Sequence, residues 1–71
     1  MSENTVTVEA NGESFRIAAA MPLRRFIESQ GLPPAHVVVE HNGRALPRDA
    51  IDRTVLKDGD RLEILRIVAG G

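Results

Sequence analysis

Apolar and polar residues alternate along two stretches near the start of the chain. Residues 5–9 and 14–17 place an apolar side chain at every second position, which is the period of a strand with one buried face. Asn11-Gly12 lies between them and is typical of a type I′ turn, since both turn positions need positive φ. The pattern predicts an antiparallel hairpin with four residues on its inner face: Val6, Val8, Phe15 and Ile17.

The period then changes to that of a helix. Three apolar residues spaced i, i+3 and i+4 form one stripe: Leu23, Phe26 and Ile27. Pro22 suits the first turn of a helix, and Gly31 suits the left-handed residue that ends one. The pattern predicts one short amphipathic helix over about residues 22–30.

Short strands and turns are predicted for the second half of the chain. Strands are expected at residues 37–41, 44–46 and 61–68, with turns at Asn42-Gly43 and at residues 57–60. Residues 47–56 have no clear period, so we expect a loop there, with a 3₁₀ turn at 49–53. The whole order is strand, strand, helix, strand, short strand, strand.

This order favours an α+β fold with a mixed sheet of about five strands and one helix on one face. The first and last strands can lie side by side in parallel, because the helix lies in the crossover between them. The order is that of the β-grasp, or ubiquitin-like, roll. We expect residues 1–67 to form this domain and residues 68–71 to form a flexible C-terminal tail.

Composition restricts the class of function. A chain of 71 residues is one small domain with a thin core, and it is 42% hydrophobic and 27% charged. A net charge of -1 and only two aromatic residues argue against nucleic-acid binding. Cysteine is absent, and no apolar run approaches the roughly 20 residues of a membrane span. We expect a cytoplasmic protein that is a monomer when free and does not contact membranes.

The second half of the chain carries more apolar residues than one sheet face needs. If Leu62 and Ile64 point inward, Leu65 and Ile67 break the alternation and point outward, as Val38 does on the third strand. Contiguous exposed apolar surface on a small domain marks a partner site. The alternative is that branched residues are there only because they form strands well.

The chain ends in Gly70-Gly71, directly after an apolar strand. Glycine has no Cβ, so such a tail is thin enough to carry its final carboxylate through a narrow channel into another protein's active site. The alternative is an ordinary frayed terminus. Arg66, close to the tail, either pairs with an acidic residue or steers the tail on a partner, and a solvated charge is equally compatible with the sequence.

No other residues form a convincing reactive site. His36 and His41 have no cysteine beside them, so we expect packed or solvated histidines and no metal site. Asp58 and Asp60 flank a turn glycine and are expected to hold that turn. Since no nucleophile has a base partner, we predict that the protein is not an enzyme.

Short motifs along most of the chain carry a resemblance to a known family. They are Val39-Glu40-His41-Asn42-Gly43, Pro47-Arg48, Leu56-Lys57-Asp58-Gly59-Asp60, Glu63-Ile64 and Val68-Ala69-Gly70-Gly71. With these motifs the chain resembles the ThiS family, the sulfur carriers of thiamine-thiazole synthesis. One departure is Ile51, where many relatives have tryptophan. Molybdopterin sulfur carriers share the fold and the terminal glycines but match less well before the tail.

The resemblance implies a carrier that works on partner enzymes and binds no cofactor itself. An E1-like enzyme of the ThiF type would use ATP and a metal to adenylate Gly71. A persulfide sulfur donor would then leave a thiocarboxylate for a thiazole synthase of the ThiG type. The expected partner-binding residues are Val38, Leu65, Arg66, Ile67, Val68 and Ala69, with Gly70 completing the tail.

Two other functions remain open on the sequence. The chain could carry sulfur for molybdopterin or another sulfur-transfer pathway with the same activation chemistry. It could also be a ubiquitin-like modifier or an interaction module.

Overall fold

The structure, a computed structural model, describes residues 4–67 of the chain. Within these residues, five strands and two α-helices follow one another, with a 3₁₀ turn at Pro34–His36. In chain order they are β1 (Thr5–Ala10), β2 (Glu13–Ala18), α1 (Leu23–Ser29), β3 (Val37–His41), β4 (Arg44–Ala45), α2 (Arg48–Ile51) and β5 (Arg61–Arg66).

The strands form one mixed sheet in the order β2-β1-β5-β3-β4. β1 and β5 are parallel neighbours at the centre, and every other pairing is antiparallel. The chain between these two strands includes α1, and a parallel pair requires such a crossover. The predicted α+β, β-grasp arrangement is therefore confirmed.

Both Asn-Gly pairs form tight turns with two residues in the left-handed region. Asn11 and Gly12 have φ of 52° and 84°, and Asn42 and Gly43 have φ of 53° and 85°. These values fit a type I′ hairpin turn, which needs positive φ at both central positions. The predicted turn at Asn11-Gly12 is confirmed, and the second pair adopts the same conformation.

α1 is one residue shorter at each end than predicted, and it ends in a Schellman motif. Gly31, with φ of 77°, donates its N–H to the carbonyl of Glu28 at 3.0 Å. The N–H of Leu32 reaches back to the carbonyl of Ile27 at 3.3 Å. These two bonds satisfy carbonyls at the helix end, and they depend on the left-handed glycine.

The prediction of an irregular segment after β4 was partly wrong. α2 is a single α-helical turn at Arg48–Ile51, where a loop with a 3₁₀ turn was expected. It forms because Ile51 is drawn into the core and is only 4% exposed. The side chain of Arg48 also donates to the carbonyls of Pro34 and Val37, both at 3.2 Å, and so ties α2 to the start of β3.

The last two predicted strands also differ in extent. β4 stops at Ala45, one residue before the predicted end. β5 ends at Arg66, and Ile67 follows it outside the strand, although its N–H still donates to the carbonyl of His36 at 2.8 Å. Val68, the predicted end of the last strand, and the tail that follows lie outside the described residues.

The core lies between α1 and one face of the sheet. Phe26 packs edge-to-face on Phe15, with ring centroids 5.3 Å apart. Val8 is buried, and Val6, Phe15 and Ile17 are partly buried against the same core, so the predicted inner face of the first hairpin is confirmed. The core cluster consists of Val8, Ala10, Leu23, Phe26, Ile27, Val37, Val39, Ile51, Leu56, Leu62 and Ile64.

Candidate functional site

Three large apolar side chains are exposed beside the end of β5. Val38 is 45% exposed, Leu65 is 64% exposed and Ile67 is 46% exposed. Val38 and Leu65 are direct partners in the β3–β5 register, so they stand side by side on the same face. We call these three residues the apolar patch, and their predicted outward orientation agrees with the structure.

The patch exists because β3 and β5 carry apolar residues on both faces. On the inner face, Leu62 and Ile64 of β5 are 0% and 4% exposed. Successive side chains of a strand point to opposite faces, so the following leucine, Leu65, is left on the outside. None of the three patch residues belongs to the core cluster or packs against it.

The patch lies where the chain leaves the sheet toward its C-terminus. Arg66 is the last residue of β5 and is exposed opposite Val37. Within residues 4–67, no acidic side chain lies within 4.0 Å of its guanidinium, so of the alternatives open for Arg66 the ion pair is not seen there. The predicted site residues Val68, Ala69, Gly70 and Gly71 lie outside the described residues, and their roles stay predictions.

Two carboxylates share the outer face with the patch. Glu40 of β3 and Glu63 of β5 are direct partners in the antiparallel register, and both are exposed. Together with Val38 and Leu65 they line a shallow depression of about 320 Å³. Sequence reasoning missed this pair because it needs the register of two strands that are far apart in the chain.

The side chains of both turn asparagines bind the backbone at β5. Asn11 accepts from the N–H of Ile64 at 2.8 Å and donates to its carbonyl at 3.1 Å. Asn42 accepts from the N–H of Arg61 at 2.8 Å and donates to the Asp60 carboxylate at 3.0 Å. The two turns therefore fix the strand that carries Leu65, a role that the Asn-Gly pattern does not reveal.

Among the charged side chains of residues 4–67, that of Asp60 is the one that is buried, and it is 7% exposed. Burial opposes ionisation of its carboxyl, but hydrogen bonds outweigh burial and lower its pKa below the ordinary value. They come from the N–H of Lys57 at 2.8 Å, from Asn42 and from His41, whose Nε2 lies 3.1 Å away. Asp60 thus holds its turn as predicted, whereas Asp58 accepts from the N–H of Thr7 on β1.

Neither a metal-binding cluster nor a membrane-spanning helix is found in the part of the chain that the structure describes. Within residues 4–67 there is no group of three or more His, Cys, Asp or Glu side chains placed to hold a metal ion. Among the helices in that range, none is long and apolar enough to cross a membrane. The candidate site is a surface, formed by the apolar patch and the carboxylate pair, next to the end of β5.

Comparisons with known proteins agree on one family. The model of the ThiS family matches residues 3–71. The crystal structure of the thiamine biosynthesis protein ThiS from Geobacter metallireducens superposes with a TM-score of 0.76 at 32% identity, over 93% of this chain and 100% of that one. An NMR structure of a thiamine biosynthesis protein from the same organism gives a TM-score of 0.74 at 30% identity, over 93% of this chain and 88% of that one.

Two further proteins are similar to this chain in sequence. The chain is 31% identical over 71 residues to the uncharacterized protein ycf40 of Pyropia yezoensis, covering all of both chains. It is also 31% identical over 61 residues to a thiazole synthase of Paramagnetospirillum magneticum. That match covers 86% of this chain but only 19% of the thiazole synthase.

Proposed function

The chain belongs to the ThiS family, the small sulfur carrier proteins of thiamine biosynthesis, and we propose that its C-terminal residue, Gly71, carries the sulfur as a thiocarboxylate. The observation that carries this proposal is the family match, which extends through residue 71 and so includes the terminal glycines. The protein is a carrier whose partners supply the catalytic groups.

The chemistry of a carboxylate explains why an activating partner is required. The C-terminal carboxyl, with an ordinary pKa near 3.5, is ionised at neutral pH and is a poor electrophile. An E1-like enzyme would let a carboxylate oxygen of Gly71 attack the α-phosphorus of ATP, releasing pyrophosphate. A persulfide sulfur then attacks the carbonyl carbon of the acyl adenylate, AMP leaves, and breaking the sulfur–sulfur bond with a reducing thiol leaves the thiocarboxylate.

The exposed surface beside the end of β5 supports a division of roles, in which a partner binds the folded domain and its active site receives the C-terminal residues. Each partner must hold the domain while Gly71 reaches its active site, and the apolar patch is the exposed apolar surface nearest to that end. Arg66, Val68 and Ala69 connect the patch to Gly70, and we assign all of them to the same partner-binding segment. Glycine at the last two positions lets a narrow channel close around the backbone.

A thiazole synthase is the acceptor that the comparisons favour. The thiazole synthase of Paramagnetospirillum magneticum contains, in about a fifth of its length, a stretch similar to this chain. A carrier-like stretch in one protein with that enzyme supports a direct contact between the two. We therefore propose that the thiocarboxylate of Gly71 donates its sulfur to thiazole synthase.

Mass spectrometry of the intact protein tests the proposal. The purified chain is incubated with an E1-like adenylating enzyme of the same organism, ATP, Mg²⁺, a persulfide donor and a reducing thiol. We expect one oxygen at the C-terminus to be replaced by sulfur. A variant lacking Gly71 should remain unmodified while its thermal unfolding is unchanged.

Two outcomes would contradict the proposal. The first is the same sulfur incorporation in the variant without Gly71, because the sulfur would then reside elsewhere. The second is a chain that, in cells, forms covalent adducts with other proteins and never gains sulfur, which would indicate a modifier.

Deletion of the gene should also produce a growth requirement that thiazole relieves, and growth unaffected by thiamine withdrawal would exclude this pathway.

A further inference from the structure

The carboxylate pair on the outer face lacks a cation within the described residues. Glu40 on β3 lies directly opposite Glu63 on β5 and, on its other side, opposite Ala45 on β4. Within residues 4–67, no basic side chain lies within 4.0 Å of either carboxylate. The nearest basic residue along β5 on that face is Arg61, and its Nε is directed to Glu9 at 3.6 Å.

This arrangement costs the free protein stability. Like charges directly opposite each other on an antiparallel pair repel, and such a pair is destabilising compared with neutral residues. A glutamine at either position would keep the size and remove the repulsion. We therefore expect the pair to disfavour folding, and a cation supplied from outside would convert the repulsion into attraction.

The surroundings of the pair give it the shape of a contact surface. Two shallow depressions on this face share Glu40 and Glu63 in their lining. One, of about 480 Å³, extends from the pair past Arg61, whose guanidinium is directed to Glu9, toward Asn42 and the turn glycines Gly43 and Gly59. The other, of about 320 Å³, extends to Val38 and Leu65. A partner that covers the apolar side chains also covers the carboxylates.

We propose that this face docks on a basic surface of thiazole synthase, which places an apolar side chain on Val38 and Leu65 and an arginine or lysine between Glu40 and Glu63. The inference rests on the proposed function, which supplies thiazole synthase as the partner, and it adds the chemistry that the partner must present. A guanidinium suits the position because it can donate to two carboxylates at once. Apolar contacts around it exclude water and strengthen the ion pairs.

The charge of the face also selects among other occupants. A second copy of the chain, packed face to face, would bring its own two carboxylates against this pair and add to the repulsion. A nucleic acid would bring phosphates and be repelled in the same way. Charge complementarity therefore favours a different protein with a basic surface.

Removal of the two charges tests the proposal. The double variant Glu40→Gln, Glu63→Gln is compared with a charge-matched control, Glu13→Gln, Glu28→Gln, whose exposed positions lie on β2 and α1. The Kd for thiazole synthase of the same organism is measured by calorimetry at low and at physiological ionic strength. We expect the double variant to bind about tenfold more weakly and to lose most of its salt dependence, whereas the control keeps both.

The stability of the free chain provides a second readout. Because the repulsion is removed, the free double variant should unfold at a higher denaturant concentration than the unmodified chain. Weaker binding by a more stable protein is a combination that damage to the fold does not produce. Lower stability of the double variant would overturn the inference, since the pair would then serve the fold.

The remaining outcomes separate this inference from the function on which it rests. If the unmodified chain binds and the double variant binds equally well with the same salt dependence, the inference is overturned and the proposed function stands. If the unmodified chain does not bind thiazole synthase, that partner is wrong and the inference falls with it. Sulfur loading of Gly71 by the adenylating enzyme would still be measured separately.

Discussion

The two faces of the sheet carry the same types of apolar residue, but only the inner face buries them. On β5, Leu62 is fully buried, whereas Leu65, three positions later, is 64% exposed. On β3, Val39 is fully buried and Val38 is 45% exposed. The inner face supplies the free energy of folding through burial, while the outer face retains apolar area that folding does not use. That retained area is available for a partner.

The largest expected effect is on the inner face, where α1 meets the sheet. Phe26 is 1% exposed and packs edge-to-face on Phe15. Phe26→Ala should lower the free energy of unfolding by about 3–5 kcal/mol, because it removes a buried ring and leaves a cavity. Denaturant unfolding measures this change.

Val55→Ala is the matched control for this substitution. Val55 is 46% exposed, so its truncation should change the free energy of unfolding by less than about 0.5 kcal/mol. Similar losses for the two variants would mean that burial in the structure does not describe the core of this protein.

The pair of leucines on β5 tests the two faces within one strand. Leu62→Ala should lower the free energy of unfolding by about 2–5 kcal/mol, since the side chain is fully buried. Leu65→Ala should change it by less than about 0.5 kcal/mol but should weaken binding to thiazole synthase. Equilibrium unfolding and calorimetric binding of the same two variants give both numbers.

The leucine comparison also has a result that would count against it. If Leu65→Ala destabilised the chain as much as Leu62→Ala, the outer face would be part of the core and not a partner surface. If Leu65→Ala left both stability and binding unchanged, the exposed leucine would not belong to a partner surface.

Most of the sheet could be predicted because its residues alternate with a clear period. The first hairpin, α1 and the outward position of Leu65 all follow from which side of an element an apolar residue falls on. α2 could not be predicted in this way, because one helical turn at Arg48–Ile51 is too short to show a helical period. The burial of Ile51 that stabilises it depends on distant parts of the chain.

The apolar residues of the candidate site were predicted from the sequence, whereas its carboxylate pair was not. Exposure of Val38 follows from alternation along its own strand. The pairing of Glu40 with Glu63 depends on strand register, and the bonds from Asn11 to Ile64 depend on which strand lies beside the turn. Such contacts join residues far apart in sequence, and no local pattern encodes them.

A smaller effect is expected at the end of the sheet. There the buried carboxyl of Asp60 links the turn at residues 57–60 to the Asn42-Gly43 turn. Its pKa is lowered in the folded protein, so the carboxylate stabilises the fold above the ordinary aspartate value of 3.8 and loses that contribution as pH falls through the lower folded value. Asp60→Asn should lower the free energy of unfolding at neutral pH by about 1–2 kcal/mol, because hydrogen bonds to a charged acceptor are lost.

The pH dependence separates this carboxylate from the rest of the chain. As pH falls below the ordinary aspartate value of 3.8, the difference in free energy of unfolding between the unmodified chain and Asp60→Asn should begin to shrink, because the unfolded chain binds a proton there first; it should be smallest below the lower folded pKa, where the folded chain is protonated as well. Asp58→Asn is the matched control, because Asp58 is exposed and bonds only to the N–H of Thr7 among the described residues. A difference for Asp60→Asn that stays constant through this pH range would show that the charge of Asp60 does not stabilise the turn, and that the side chain acts there by its shape alone.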